Sequence, residues 1–156
     1  MSSDRVFSAA LAKGIIAEDK VYTYLRMNYS YVQDMRYQTH EKGSGPRLEG
    51  TSGSVILPDF QVIDRFKGRF LIDVKSKTST YTLGNAEYFT VDDYKLEDYE
   101  RCVKYLLSDK LMIVFVFKGN MYFYESTERL PKPVTFDNDY GKKAYLFEVD
   151  STKIRS

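Results

Sequence analysis

Over the first 28 residues hydrophobic side chains recur every three or four positions, at Phe7, Leu11, Ile15, Val21 or Tyr22, and Leu25. That period is helical and predicts one helix from about Arg5 to Asn28, with Ser2 or Ser3 and Asp4 placed to cap its start. The apolar face of this helix also carries Glu18. An acid there is either a boundary residue snorkelling to water or a group held inward for chemistry. Gly14, one turn earlier, allows close approach of the helix to a sheet. After the helix the pattern shortens to strand-like runs. Tyr31–Gln38 alternates, and Thr39–Ser54 reads as loop, with Gly43, Gly45, Pro46, Gly50 and Gly53. Val55–Ile63 and Arg69–Lys75 are rich in Val, Ile and Phe and flank Arg65-Phe66-Lys67-Gly68, which predicts a β-hairpin. A polar stretch, Ser76–Thr82, leads into Leu83-Gly84-Asn85. Asp92 is placed to cap a helix running to about Leu107, with Tyr99, Cys102 or Val103, and Leu106 inward. Leu111–Phe117 is an unbroken apolar run, as in a buried strand, and Gly119-Asn120 turns it into Met121–Glu125. Ala144–Val149 is a last strand. The order is α-β-β-β-α-β-β-β, an α/β chain.

The hairpin carries the chemistry. With its turn centred near Phe66–Lys67, Asp59 falls opposite or nearly opposite Asp73, and Lys75 shares the face of Asp73. Asp64, Lys67 and Arg69 near the turn read as ordinary solvated charges. Asp59 and Asp73 fit that reading less well, because Ile56-Leu57 and Leu71-Ile72 place them at depth. Unpaired buried carboxylates are costly, so such a cluster usually holds a cation or a partner charge. Glu18, Asp59 and Asp73 are hard oxygen donors suited to Mg²⁺ or Mn²⁺.

These residues resemble the PD-(D/E)xK, or restriction-endonuclease-like, nuclease superfamily. Pro58-Asp59 matches the PD and Asp73-Val74-Lys75 the (D/E)xK. In resolvase-like and phage-type members the first helix carries a metal-site glutamate in a segment similar to Lys13-Gly14-Ile15-Ile16-Ala17-Glu18. The resemblance covers roughly residues 5–118. It implies an αβββαβ core, a mixed central sheet flanked by helices, within one nuclease-like domain of residues 1–156. Residues 119–156 then form an added hairpin and edge strand. It implies Glu18, Asp59, Asp73 and Lys75 as catalytic residues, and Glu18, Asp59, Asp73 and the carbonyl of Val74 around Mg²⁺ or Mn²⁺. The activity implied is hydrolysis of DNA phosphodiester bonds by an endonuclease. A chain this small resembles the Holliday-junction resolvases, so selection by DNA shape or strand ends is expected rather than by sequence. Cutting both strands of a junction needs two sites, so a homodimer is expected.

Composition narrows the alternatives. Among 156 residues there is one cysteine and one histidine. That excludes an internal disulfide framework and the usual zinc sites, and it suits a reducing cytoplasm. No run approaches a membrane span, and the N-terminus lacks the apolar region of a signal peptide. His40 sits beside the glycine-rich loop with no nucleophile motif near it. The net charge of +1 is no nucleic-acid signature by itself. Its distribution is more informative. Lys67, Arg69, Lys75 and Lys77 crowd the hairpin, with Lys42 and Arg47 on the preceding loop, while acids gather at Asp92–Glu100 and Asp137–Asp139. Lys77, Lys42, Arg47, Lys67, Arg69 and Tyr81 are the expected DNA contacts. Tyr88 and Phe89 join Tyr81 as aromatics placed to touch a substrate. Small size suggests a phage or mobile element, and so a host cytoplasm. The other reading is a non-catalytic nucleic-acid-binding or accessory module that keeps the fold. The complete set of three acids and a lysine favours the enzyme.

Overall fold

The computed structural model describes residues 3–36, 46–136 and 141–156. Helix α1 (Ser3–Asn28) leads to strand β1 (Tyr31–Asp34), then β2 (Arg47–Gly50), β3 (Gly53–Ile56), β4 (Phe60–Asp64) and the long β5 (Gly68–Lys77). Next come β6 (Tyr81–Leu83), β7 (Ala86–Asp92), helix α2 (Asp93–Tyr105), β8 (Lys110–Phe117) and β9 (Asn120–Glu125). The chain continues through β10 (Val134–Phe136), β11 (Lys142–Glu148) and β12 (Ile154–Arg155). A six-stranded main sheet has the order β1-β4-β5-β8-β9-β12. A second, four-stranded sheet has the order β10-β11-β7-β6, and β2 pairs only with β3. In the main sheet β5 and β8 run parallel and the other neighbours antiparallel. A parallel pair cannot be closed by a tight turn, and α2 lies in the crossover between them. The expected α-β-β-β-α-β order is therefore present as α1, β1, β4, β5, α2 and β8.

Alternation along β5 sorts the core into two layers. Phe70, Ile72 and Val74 pack with Phe60, Val62 and Val114 against Ala17, Val21 and Leu25 of α1. Leu71 faces the other way, with Leu111, Ile113 and Phe115, toward Leu96, Tyr99 and Cys102 of α2 and Phe89, Val91 and Phe147 of the second sheet. Aromatic rings knit this second layer. Phe89 stacks on Phe115 at 4.7 Å, and Phe147 tilts against Phe115 at 5.3 Å. Such pairs contribute about 0.5–1.5 kcal/mol each beyond their burial.

Several expectations need correction. Only the later half of the α1 stripe is buried: Leu11 is 55% exposed and Ile15 44%. A helix of 26 residues is about 39 Å long, while β4 and β8 beside β5 span only about 17 and 26 Å, so the first turns run past the sheet. The side chain of Phe7 lies outside those described. Val55–Ile63 is two strands, not one. Pro58 offers no N–H to a ladder, so β3 ends at Ile56 and pairs with β2, while β4 starts afresh at Phe60. Part of the presumed loop Thr39–Ser54 is thus the β2–β3 ribbon, closed by Gly53 at φ +108°. Its Leu48 and Val55 pack on the α2-side core. His40, Lys42, Gly43 and Gly45 lie outside the described residues, as do Asp137–Asp139. Strand β1 ends at Asp34, short of Gln38. The polar stretch after Lys75 holds the end of β5 and the start of β6, which forms a hairpin with β7. The last expected strand exists as β11, but it joins the second sheet between β10 and β7, and β12 is the edge of the main sheet.

The turn between β4 and β5 is tightly anchored. Asp64 accepts hydrogen bonds from the N–H groups of Phe66 and Lys67, both at 3.0 Å, and from that of Ser30 at 2.9 Å. A turn charge expected to be merely solvated therefore ties the hairpin to the end of α1. Gly68 opens β5 at φ +84°, and a Cβ there would run into the Asp109 carboxylate that accepts the Arg69 N–H. Gly68→Ala is expected to cost about 1–3 kcal/mol, from the strained backbone and the lost space. Urea denaturation will show this as a lower midpoint with an unchanged slope.

Candidate active site

Asp59 is the residue just before β4, and Asp73 lies near the middle of β5. Their ladder runs from Asp64↔Gly68 to Phe60↔Ile72, and one further step sets Asp59 opposite Asp73. There β4 has ended. The Val74 N–H donates instead to Asp59 Oδ2, at 2.8 Å. The Asp59 carboxylate thus stands where the next backbone acceptor of β4 would be. Its own carbonyl accepts from Met35 N–H at 2.9 Å, which fixes the segment to the end of β1. In a strand the N–H and C=O of one residue point to the same edge, so the Val74 carbonyl emerges beside Asp59.

Asp73 is only 2% exposed. Its Oδ2 lies 3.0 Å from Lys75 Nζ as an ion pair, and no aligned hydrogen bond reaches that oxygen among the described residues. Lys75 Nζ donates to the Tyr99 hydroxyl of α2 at 3.0 Å. Burial works against the lysine charge, but Asp73, Tyr99 and Asp59 outweigh it and hold its pKa above the usual range. Asp59 is pushed the other way: burial first, then the charges of Asp73 and Glu18, raise its pKa well above an ordinary carboxyl. Two acids and one firmly charged lysine therefore meet in a half-enclosed space.

Glu18 acts on them through its charge, without a direct contact among those described. Asp73 and Lys75 face the α2 layer, whereas Glu18 comes from α1 on the other side of the sheet. Its Oε1 is 3.6 Å from Arg36 Nη1. Burial raises the Glu18 pKa, Arg36 opposes this, and Asp73 adds to it. Among the described residues no three His, Cys, Asp or Glu side chains gather closely enough to hold a metal ion. Arg36 was not singled out from the sequence. Its side chain is only 7% exposed and makes two hydrogen bonds to Asp34, at 2.9 and 2.8 Å, and one to Asp19 at 2.8 Å. It also lies 4.9 Å from the Phe60 ring centre and 5.4 Å from that of Tyr22. The only sequence signal was an arginine at the end of an alternating run.

The five expected DNA contacts among the described residues are spread over β2, the β4–β5 turn, β5 and β6. Lys77, on the same face of β5 as Lys75, reaches Thr90 Oγ1 at 3.3 Å. Tyr81 lies on β6, its ring set at 90° against Phe136 with centres 5.0 Å apart. Both are on the side of Lys75 away from the turn. Lys67 and Arg69 stand at the turn end of β5, and Lys67 rests over Tyr29 at 5.0 Å. Arg47, on β2, donates to Ser54 Oγ at 3.4 Å. Lys42 lies outside the described residues. Phe89 is fully buried in the ring cluster, because alternation along β7 turns it inward, so it is no substrate contact. Tyr88, beside it, is half-buried and opposite Tyr81.

No protein-family model matches the sequence, and no curated protein does. Among solved structures, the chain is similar to Hjc, a Holliday junction resolvase of the archaeal hyperthermophile Archaeoglobus fulgidus. The TM-score is 0.54, over 90% of this chain and 85% of that one, with 11% sequence identity. The fold is restriction-endonuclease-like. At that identity the likeness is one of fold alone, and the chemistry rests on the residues.

Within that restriction-endonuclease-like frame, the oxygens able to hold a divalent cation are those of Asp59 and Asp73 and the Val74 carbonyl. They are hard donors of the kind Mg²⁺ and Mn²⁺ take. The buried Asp73 Oδ2 lacking a hydrogen bond, and the burial and then repulsion that raise Asp59, both fit a cation placed among them. Without a cation the cluster is a stability cost with a definite sign. Asp59 binds its proton more tightly in the folded than in the unfolded chain, so stability falls as pH rises from about 4 through the folded pKa. Asp59→Asn keeps an acceptor for Val74 N–H and removes the charge. In EDTA at pH 7 it is expected to melt higher, by about 2–4 °C for each kcal/mol of relieved repulsion, with a flatter pH dependence above pH 4. Thermal melts across pH check this, and an unchanged or lower Tm would contradict it.

Proposed function

We propose that this chain is a metal-dependent DNA endonuclease that hydrolyses phosphodiester bonds. It selects DNA by structure, at branches or free ends, rather than by sequence. The observation that carries this reading is the meeting of Asp59, Asp73 and Lys75 where β4 stops short of β5. The likeness in fold to a protein named as a Holliday junction resolvase supports the choice of branched DNA.

Each residue has a task in this reading. Asp59, Asp73 and the Val74 carbonyl hold Mg²⁺ or Mn²⁺. When bound, such a cation lowers the pKa of a water and polarises the phosphate. Lys75, kept charged by Asp73 and aimed by the Tyr99 hydroxyl, faces the negative charge that grows on the phosphate oxygens. Glu18, reached by Arg36 rather than by the other acids, takes the outer role of ordering water toward the cation. A homodimer supplies the two sites needed to cut two strands.

The test is a gel assay with supercoiled plasmid, linear duplex, single-stranded DNA and a four-way junction, each in Mg²⁺, Mn²⁺ or EDTA. Cutting is expected only with metal and best on the junction. Asp73→Ala is expected to abolish it, and Lys75→Met to slow it by about 10²–10³-fold, the usual effect of losing one charge-stabilising donor. Circular dichroism confirms that both variants fold. Full activity in Asp73→Ala would sink the proposal. Retained DNA binding with no cutting of any substrate would instead mark a non-catalytic module.

A further inference from the structure

The chemistry above leaves unused a groove of about 410 Å³ beyond Lys75, between the end of β5 and the second sheet. Its wall carries lysines, hydroxyls and two aromatic rings. Lys75 and Lys77 share a face of β5, about 6.6 Å apart along the strand. Facing them, Lys142 of β11 places its Nζ 3.3 Å from Asp92 Oδ1, and Lys95, in the first turn of α2, lies 4.0 Å from Asp92 Oδ2. Three lysines therefore gather around the single carboxylate of Asp92. Burial, and then the charge of Lys75, bring the Lys77 pKa down to about 8, and the same two causes lower that of Lys95. A partly desolvated excess of positive charge is what an anion relieves.

The groove is shaped by the sheet's own curl. Strands β6 and β10 are the two opposite edges of the second sheet. Yet Tyr81 of β6 meets Phe136 of β10 ring to ring at 5.0 Å. The two edges approach each other at these rings, so the groove lies on the concave face of the sheet. Thr90, Asp92 and Lys142 line this face, while Phe89, Val91 and Phe147 point to the core. Lysines, hydroxyls and a pair of rings on one wall, with Lys142 directly across the ladder from Phe136, match the parts of a nucleotide. Clefts of this size take one small ligand, and a base pair with both its strands is too large.

We propose that the groove receives a single unpaired nucleotide adjoining the phosphate cut at Asp59, Asp73 and Lys75, with its phosphate on Lys77 and Lys142 and its base against Tyr81 and Phe136. This rests on the nuclease reading and deepens it. The enzyme then favours branches and ends because a strand must be unpaired next to the cut to enter the groove.

The test measures binding by fluorescence anisotropy in EDTA, with an oligo-dT strand, a forked duplex and a blunt duplex, and cleavage of the fork in Mn²⁺. Tyr81→Ala and Phe136→Ala, on opposite edge strands, are each expected to weaken binding to the fork and the single strand by about 10-fold, as lost base stacking does. Both should bind the blunt duplex as wild type does. Lys142→Gln should reduce the slope of log affinity against log salt by about 0.7 on the single strand, the value for one phosphate contact. Three variants that bind every DNA like wild type would overturn the proposal, as would equal losses on blunt and forked duplex. If wild type cuts the fork and the variants match it throughout, the groove assignment falls and the nuclease stands. If the losses appear but wild type cuts nothing, the nuclease reading falls and the groove remains a nucleotide site. Wild type that neither binds nor cuts removes both.

Discussion

A single hydrogen bond, from the Val74 N–H to a carboxylate oxygen of Asp59, organises this molecule. A central strand normally gives that N–H to a neighbouring backbone carbonyl. Here the neighbour has stopped, and a side chain takes its place. The consequence runs in three directions. The β4 ladder ends without leaving the buried donor unpaired. The two acids are brought opposite each other. The Val74 carbonyl is turned toward an open edge instead of a ladder. Removing the bond would undo the termination of the strand and the alignment of the site together.

The same strand shows how charge is tolerated in a core. Between Leu71 and the end of β5, every second residue on the α2 face is ionisable: Asp73, Lys75 and Lys77. Each meets a different answer. Asp73 has Lys75, Lys75 also has the Tyr99 hydroxyl, and Lys77 has only the Thr90 hydroxyl and a share of Asp92. The apolar layers on both sides keep water away, so these contacts act in a low dielectric where both attraction and repulsion are large. Well-packed rings at Phe89, Phe115 and Phe147 supply the stability that a charged strand gives up.

What the sequence disclosed follows from the range of the interactions. The β4–β5 hairpin was legible because its turn, its alternation and its acids lie within about twenty residues of one another. Helix α1 was legible from period alone, yet the burial of its first half was not, since exposure of Leu11 and Ile15 depends on where the sheet ends. Pro58 carried the break between β3 and β4, but the apolar residues around it masked that signal. Of the second sheet only β11 was visible: β6 and β10 are three residues each, too short to show a period. Lys142 owes its place to a partner far away in the chain, Asp92, and Arg36 joins its neighbour Asp34 to the distant Asp19. No local pattern marks such residues.

Both sheets end on short strands. The main sheet is bounded by β1, of four residues, and β12, of two, and the second by β6 and β10, of three each. A free strand edge is a template on which another chain can add by backbone pairing, and its reach grows with its length. Among the described residues, these outermost strands offer an incoming strand at most four positions to bind. Edges this short are poor templates for open-ended growth into fibres. Any assembly it forms has to be specified by side chains, which recognise one partner in one orientation, rather than by the backbone, which would accept any.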